Sequence, residues 1–196
     1  LIGCRLGYVK GIYSEEKAKD FISKLLGVIP VIEETLKQAN EVKTVANYIK
    51  MAPDAFFIGR GLDYTLSLEG ALKLKEISYV HAEAYAAGEL KHGTVALITE
   101  NVPVIALATQ ESVYGKMISN IREVKARGAY VILVSMDEEY SDKDVCDKHI
   151  SIPKQDGLFT AFSTAVILQL IAYYTSDAKG LDVDKPRNLA KSVTVE

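Results

Sequence analysis

Hydrophobic positions along the 196 residues follow two alternating patterns. AFFIG from Ala55, PVIALAT from Pro103 and YVILVS from Tyr130 are apolar at nearly every position and rich in β-formers, as strands buried on both faces are. TVALI from Thr94 and a short HISIP from His149 bring the expected strands to five. Between these runs the apolar spacing changes to three or four residues. Ser14 followed by Glu15 and Glu16 starts a helix that Gly27 stops, and Pro30 opens another through about Met51, with Ile32, Leu36, Ala39, Val42 and Ala46 on one face. Further helices are expected over about 64–79, 112–127 and 158–174. Strands alternating with helices build right-handed βαβ units, hence a three-layer α/β domain with a mostly parallel sheet whose ligands lie at the carboxyl ends of the strands.

The remaining composition removes classes of function. The stretch LFTAFSTAVILQLIAYY from Leu158 is interrupted by Thr160, Ser163, Thr164 and Gln169 and is shorter than the roughly 20 residues a spanning helix needs, so it is a core helix. The opening LIGCRLGYVKG carries Arg5 and Lys10 and lacks a small-residue cleavage pattern. Cys4 and Cys146 stand far apart in no metal-like spacing, which suits a reducing, cytoplasmic setting. A formal charge of −3 supplies no cationic field for nucleic acid or an anionic membrane.

Three local motifs carry candidate chemistry. FFIGRGLDY is a strand, a glycine turn and a helix start, able to cradle an anion, but the third glycine of a dinucleotide fingerprint is replaced by Tyr64, and Gly59 and Gly61 serve equally well as turn residues alone. On the helix that follows, Glu69, Lys73 and Glu76 fall within an arc of roughly 60°. Leu66 and Ile77 flank that arc on one side and Leu72 on the other, while Ser67, Lys75 and Ser78 form a second polar stripe expected to face water. A carboxylate beside an ammonium between apolar walls suits proton transfer between adjacent carbons; on an open surface the same pair would contribute only about 0.2–0.5 kcal/mol. His92, between Gly88 and Gly93, sits in a loop or short helical turn where an imidazole can exchange protons near neutral pH. The H-A-E run at His81 lacks the P-C-x-x-C partner of zinc deaminases, so no metal is expected. Lys191 in the aperiodic tail could enter a site, where desolvation would free its amine for carbonyl chemistry.

EGALKLKEISYVHAEAYAAGELKHG and the terminal DVDKPRNLAKSVTVE together resemble the isomerase region of the glutamine:fructose-6-phosphate amidotransferases, the glucosamine-6-phosphate synthases, over about residues 29–196. The resemblance implies the second of two SIS (sugar isomerase) lobes, a flavodoxin-like five-stranded parallel sheet between helices, with residues 1–28 a helical linker from the preceding lobe and 181–196 a catalytic tail. It also implies the reaction: fructose 6-phosphate and glutamine-derived ammonia become glucosamine 6-phosphate, without a cofactor, in a cytoplasmic homodimer. Carried over by position, Glu76 is the acid/base that moves the proton between C1 and C2, and Lys73 assists it. His92 opens the sugar ring from a neighbouring subunit. Lys191 forms a Schiff base with the open-chain ketose, with Ala190 and Arg187 binding substrate in the same segment.

Two departures qualify that carry-over. The glutaminase domain of such enzymes uses an N-terminal cysteine, whereas this chain begins LIGC; and the serine- and threonine-rich loop that binds sugar phosphate belongs to the first lobe. The corresponding ALATQESVY offers Thr109, Gln110 and Ser112 but adds Glu111, which repels an anion. The expectation is therefore a lobe that is inactive alone and needs the first lobe and the glutaminase domain as partners. The alternative is a sugar-phosphate-binding or dimerisation module without catalysis.

Overall fold

A computed structural model describes residues 1–137 and 142–187. Two helices open the chain, α1 (Ile2–Val9) and α2 (Glu15–Leu26), and the Ser14 hydroxyl accepts the Lys17 backbone N–H at 3.1 Å as the expected cap. The helix expected from Pro30 to Met51 is two: α3 (Val28–Leu36) and α4 (Ala39–Ile49). At the break the N–H groups of Lys37 and Gln38 reach back only three residues, to Glu34 and Thr35, a tightening that no glycine or proline announces.

Five strands then form one parallel sheet. These are β1 (Asp54–Gly59), β2 (His81–Ala86), β3 (Pro103–Ala108), β4 (Tyr130–Ser135) and β5 (Lys148–Ser151), ordered β2-β1-β3-β4-β5. The crossovers are α5 (Leu62–Ser78) between β1 and β2, and α6 (Tyr114–Lys125) between β3 and β4; α7 (Thr160–Ala178) follows β5. Side chains alternate between two cores. Ala55, Phe57, Ile105, Leu107, Ile132 and Val134 pack under α4, α5 and α7. Phe56, Ile58, Val104, Ala106, Val131 and Leu133 pack under α6.

The second strand is not the expected TVALI, whose Thr94–Leu97 segment is a 3-10 turn with Leu97 exposed. HAEAYA takes its place, pairing Asp54↔His81 through Gly59↔Ala86 along the sheet edge. Only Ala82 and Ala84 of this strand turn toward the α5 core, so its apolar content is too slight to look like a buried strand.

The two polar stripes of α5 also need redrawing. Ser67 and Ser78 are fully buried, not wet. Their hydroxyls donate to the carbonyls of Asp63 and Leu74 one turn back, at 2.8 and 2.7 Å, which satisfies them without water. With Gly70 and Ala71 they form a small-residue stripe against α7. A methyl at Gly70 would lie 2.7 Å from Leu168 Cδ2 and 3.0 Å from Phe57 Cε1. Leu68 and Leu72 are correspondingly turned outward.

Candidate active site

Helix α5 leaves the carboxyl end of β1 and runs back to the start of β2, so its last turn lies at the amino edge of the sheet. Glu76 is therefore about 21 Å along the helix from Leu62, away from the carboxyl-edge crevice where the fold alone would direct a search. There the Lys73 ammonium donates to Glu76 Oε2 at 2.8 Å and stands 3.7 Å from Glu69 Oε1, as the common arc requires. The Lys73 and Glu76 side chains are 35% and 26% exposed, so the pair is half-buried rather than splayed into solvent. Of the expected walls, Leu66 and Ile77 pack against the core, while Leu72 stands open on the other side. The hydrogen bond that Lys73 donates to Glu76 outweighs burial and holds Lys73 above the ordinary lysine range, so it stays an ammonium at neutral pH. Lys73 is accordingly a donor and a positive charge. Proton acceptance falls to the carboxylate.

The carboxyl-terminal segment returns to this same turn. The Ser176 hydroxyl of α7 donates to the Ile77 carbonyl at 2.9 Å, joining the ends of α5 and α7. Beyond them the Arg187 backbone N–H donates to the Tyr79 hydroxyl at 2.7 Å, and the Arg187 guanidinium lies 4.0 Å from the centre of the Tyr79 ring. Arg187 is thus brought to the helix end that carries Lys73 and Glu76. Ala190 and Lys191 lie outside the described residues.

His92 goes elsewhere. It closes a 3-10 turn, Ala87–His92, that follows the carboxyl end of β2 and buries Leu90 in the α6-side core. Glu76 is on the α5 face at the amino edge; His92 is on the other face at the carboxyl edge, one strand of ~16 Å away. The imidazole is 75% exposed, its Nε2 3.7 Å from Glu89 Oε2. The two groups of one chain therefore stand at opposite ends of the strands and share no contact partner among the described residues.

The carboxyl-edge crevice between β1 and β3, where the strand order reverses, is filled by a residue that sequence reasoning passed over. Asp63 in the first turn of α5 is 1% exposed. Its carboxylate accepts the Thr109 backbone N–H at 2.8 Å and the Thr109 hydroxyl at 2.6 Å, and the Gln110 backbone N–H also bonds to it. Burial pushes Asp63 above the ordinary aspartate range against the downward pull of those donors. The N–H groups that an anion would seek are already occupied by the protein's own carboxylate. The G-R-G turn is committed likewise: a methyl on Gly59 would meet Asp63 backbone carbon at 2.4 Å, and Arg60 Nε donates to Asn120 Oδ1 at 2.9 Å. Beside β3 and β4 a cavity of about 250 Å³ is lined by Glu111, Asp137 and Lys154 among others, so Glu111 faces this space together with a second carboxylate and a lysine. A further cavity of about 440 Å³ near Tyr48, Met51 and Pro103 is mostly apolar and contains none of the candidate residues. Of the H-A-E run, His81 is engaged by Asp54 at 2.7 Å and Glu83 by the Tyr85 hydroxyl.

A 2-1-3-4-5 parallel sheet between helices, with a carboxylate–ammonium pair on its first crossover helix, defines a flavodoxin-like α/β domain. Residues 48–176 match the family model of the SIS domain, and the chain belongs to that family. It is 47% identical over all 196 residues to the glutamine--fructose-6-phosphate aminotransferase [isomerizing] of Methanosarcina acetivorans. It is 49% identical over the same length to the enzyme of that name from Caldanaerobacter subterraneus. The chain spans about a third, 32%, of the length of these relatives. Among solved structures, the C-terminal domain of glucosamine-fructose-6-phosphate aminotransferase from Francisella tularensis matches with a TM-score of 0.86 and 32% identity, over 93% of this chain and 51% of that one.

Proposed function

We propose that this chain is the second SIS lobe, residues 29–196 after a helical linker, of an enzyme that converts fructose 6-phosphate and glutamine-derived ammonia to glucosamine 6-phosphate. Glu76 accepts the proton from C1 of the open-chain sugar and returns it to C2. Lys73 keeps that carboxylate oriented and offers positive charge to the oxyanion that develops between the two transfers. His92 serves the site of a neighbouring subunit by opening the sugar ring, Lys191 holds the ketose as a Schiff base, and Ala190 and Arg187 contact the substrate. The cytoplasm is the proposed setting, in keeping with two buried, unpaired thiols.

The observation that carries this reading is the 2.8 Å Lys73–Glu76 contact, half-buried at the helix end to which Arg187 also returns. The names of the relatives support the choice of reaction. Asp63 in the crevice between β1 and β3 agrees with a phosphate clamp supplied by another lobe, and with turnover that requires it. The test is Glu76→Gln in the full-length enzyme. Isomerisation should fall by about 10²–10⁴-fold, the usual range for a positioned acid/base, while glutamine hydrolysis persists. Isomerisation within a few-fold of wild type would refute the assignment, and robust synthesis by the 196-residue chain alone would refute the need for the other lobe.

A further inference from the structure

We propose that Tyr79 is the anchor for the carboxyl-terminal tail and thereby a positioning residue for Lys191. Three observations converge on it. Tyr79 caps α5 with φ of 60°, a left-handed conformation that helix ends ordinarily give to glycine or asparagine. A tyrosine there meets a demand that neither could, and its side chain supplies the reason: the hydroxyl accepts the Arg187 N–H at 2.7 Å while the ring lies 4.0 Å below the Arg187 guanidinium. Backbone and side chain of one tail residue are gripped by one aromatic ring.

The surroundings set the geometry of that grip. Gly180 turns the chain out of α7 with φ of 70°, and Asp182 Oδ1 accepts the N–H groups of Asp184 and Lys185 at 3.0 and 3.2 Å, which bends the segment back toward α5. The carboxyl ends of α5 and α7 meet here, and their partial negative charge suits the guanidinium. Lys179 at the end of α7 is pushed below its ordinary range by burial and by Arg187, so the guanidinium takes this place against a neighbouring cation.

The consequence follows from covalent reach. Tyr79 stands three residues beyond Glu76, a helical rise of about 4.5 Å. Lys191 stands four residues beyond Arg187, so its Cα lies within about 14 Å of that anchor whatever path the chain takes. Without the anchor, the covalent tether to Lys191 runs from Ala178 at the end of α7, thirteen residues back, and allows its amine a far larger volume. The link to Lys191 rests on the function proposed above; the anchor itself does not.

Tyr79→Asn separates the two, because asparagine suits the left-handed cap and should keep or raise the melting temperature while abolishing both contacts. In the 196-residue chain, tryptic cleavage after Arg187 should accelerate by about tenfold or more. In the full-length enzyme, borohydride reduction of the imine formed when the Lys191 amine condenses with the ketose carbonyl, losing water, should fall by about tenfold, and kcat with it. Tyr79→Phe, which keeps the ring under the guanidinium, should recover part of both. Cleavage no faster than wild type overturns the anchor. Faster cleavage with undiminished trapping and kcat overturns the positioning role. Absence of trapping at Lys191 in the wild-type enzyme would reject the Schiff-base reading and the positioning role with it, while the cleavage result would still decide the anchor.

Discussion

Subunit mixing tests the separation of Glu76 from His92 most sharply. In one chain the two lie on opposite faces and opposite edges of the sheet, about 16 Å of strand apart, whereas groups that exchange protons with one substrate must approach it to about 2.6–3.2 Å. If both serve the reaction, one site takes them from two chains. Glu76→Gln and His92→Ala homodimers should then each be impaired by about 10²-fold or more. Random exchange between equal amounts makes half of the dimers mixed, and each mixed dimer holds one site with both groups intact and one with neither. One site in four is thus restored, and activity should rise to about a quarter of wild type, the signature of a shared site in a twofold dimer. The assay is glucosamine 6-phosphate formation by full-length variants before and after subunit exchange. A mixture that stays at the level of its parents, with exchange verified by mass, would show that the two residues act within one chain or that His92 takes no part.

Two predictions concern the scaffold. Asp63→Asn replaces a carboxylate that accepts from two backbone N–H groups and a hydroxyl, and leaves at least one buried donor unpaired; the expected loss is about 1–3 kcal/mol in urea unfolding, and no loss would refute its structural role. Because burial raises Asp63 in the folded protein, its contribution is fully present below the unfolded value of about 3.9 and declines as pH rises through the higher folded value, so a plot of stability against pH should lose that decline in the variant. Gly70→Ala sets the helix-propensity gain of an alanine, about 1 kcal/mol, against overpacking on Leu168 and Phe57 of about 1–3 kcal/mol; a net loss near 1 kcal/mol is expected, and a stabilised variant would contradict the close α5–α7 contact.

Legibility in the sequence tracked how completely an element is buried. Strands β1, β3 and β4 are covered on both faces, so their residues are apolar without interruption and announce themselves. Strand β2 lies at the sheet edge and carries His81, Glu83 and Tyr85 on one face and only alanines on the other, so its sequence reads as a connection, while the more apolar TVALI reads as a strand. Periodicity located the Glu69–Lys73–Glu76 arc correctly, because an α-helix enforces it from sequence spacing alone. It misjudged which stripe of α5 faces water. Serine hydroxyls that bond back to their own helix can be buried at little cost, and hydropathy cannot see that bond.

What the chain's own order of residues determined is therefore local: the βαβ alternation, the caps, and an acid and a base held together one turn apart. What only the tertiary structure decided is where those groups stand relative to everything distant in sequence. Asp63 meets Thr109 across 46 residues and Arg187 meets Tyr79 across 108, while His92, sixteen residues after Glu76, is carried to the far side of the sheet. The physical reason is that spacing along one helix fixes direction, but the pairing of parallel strands, chosen by which apolar faces can be buried together, fixes position.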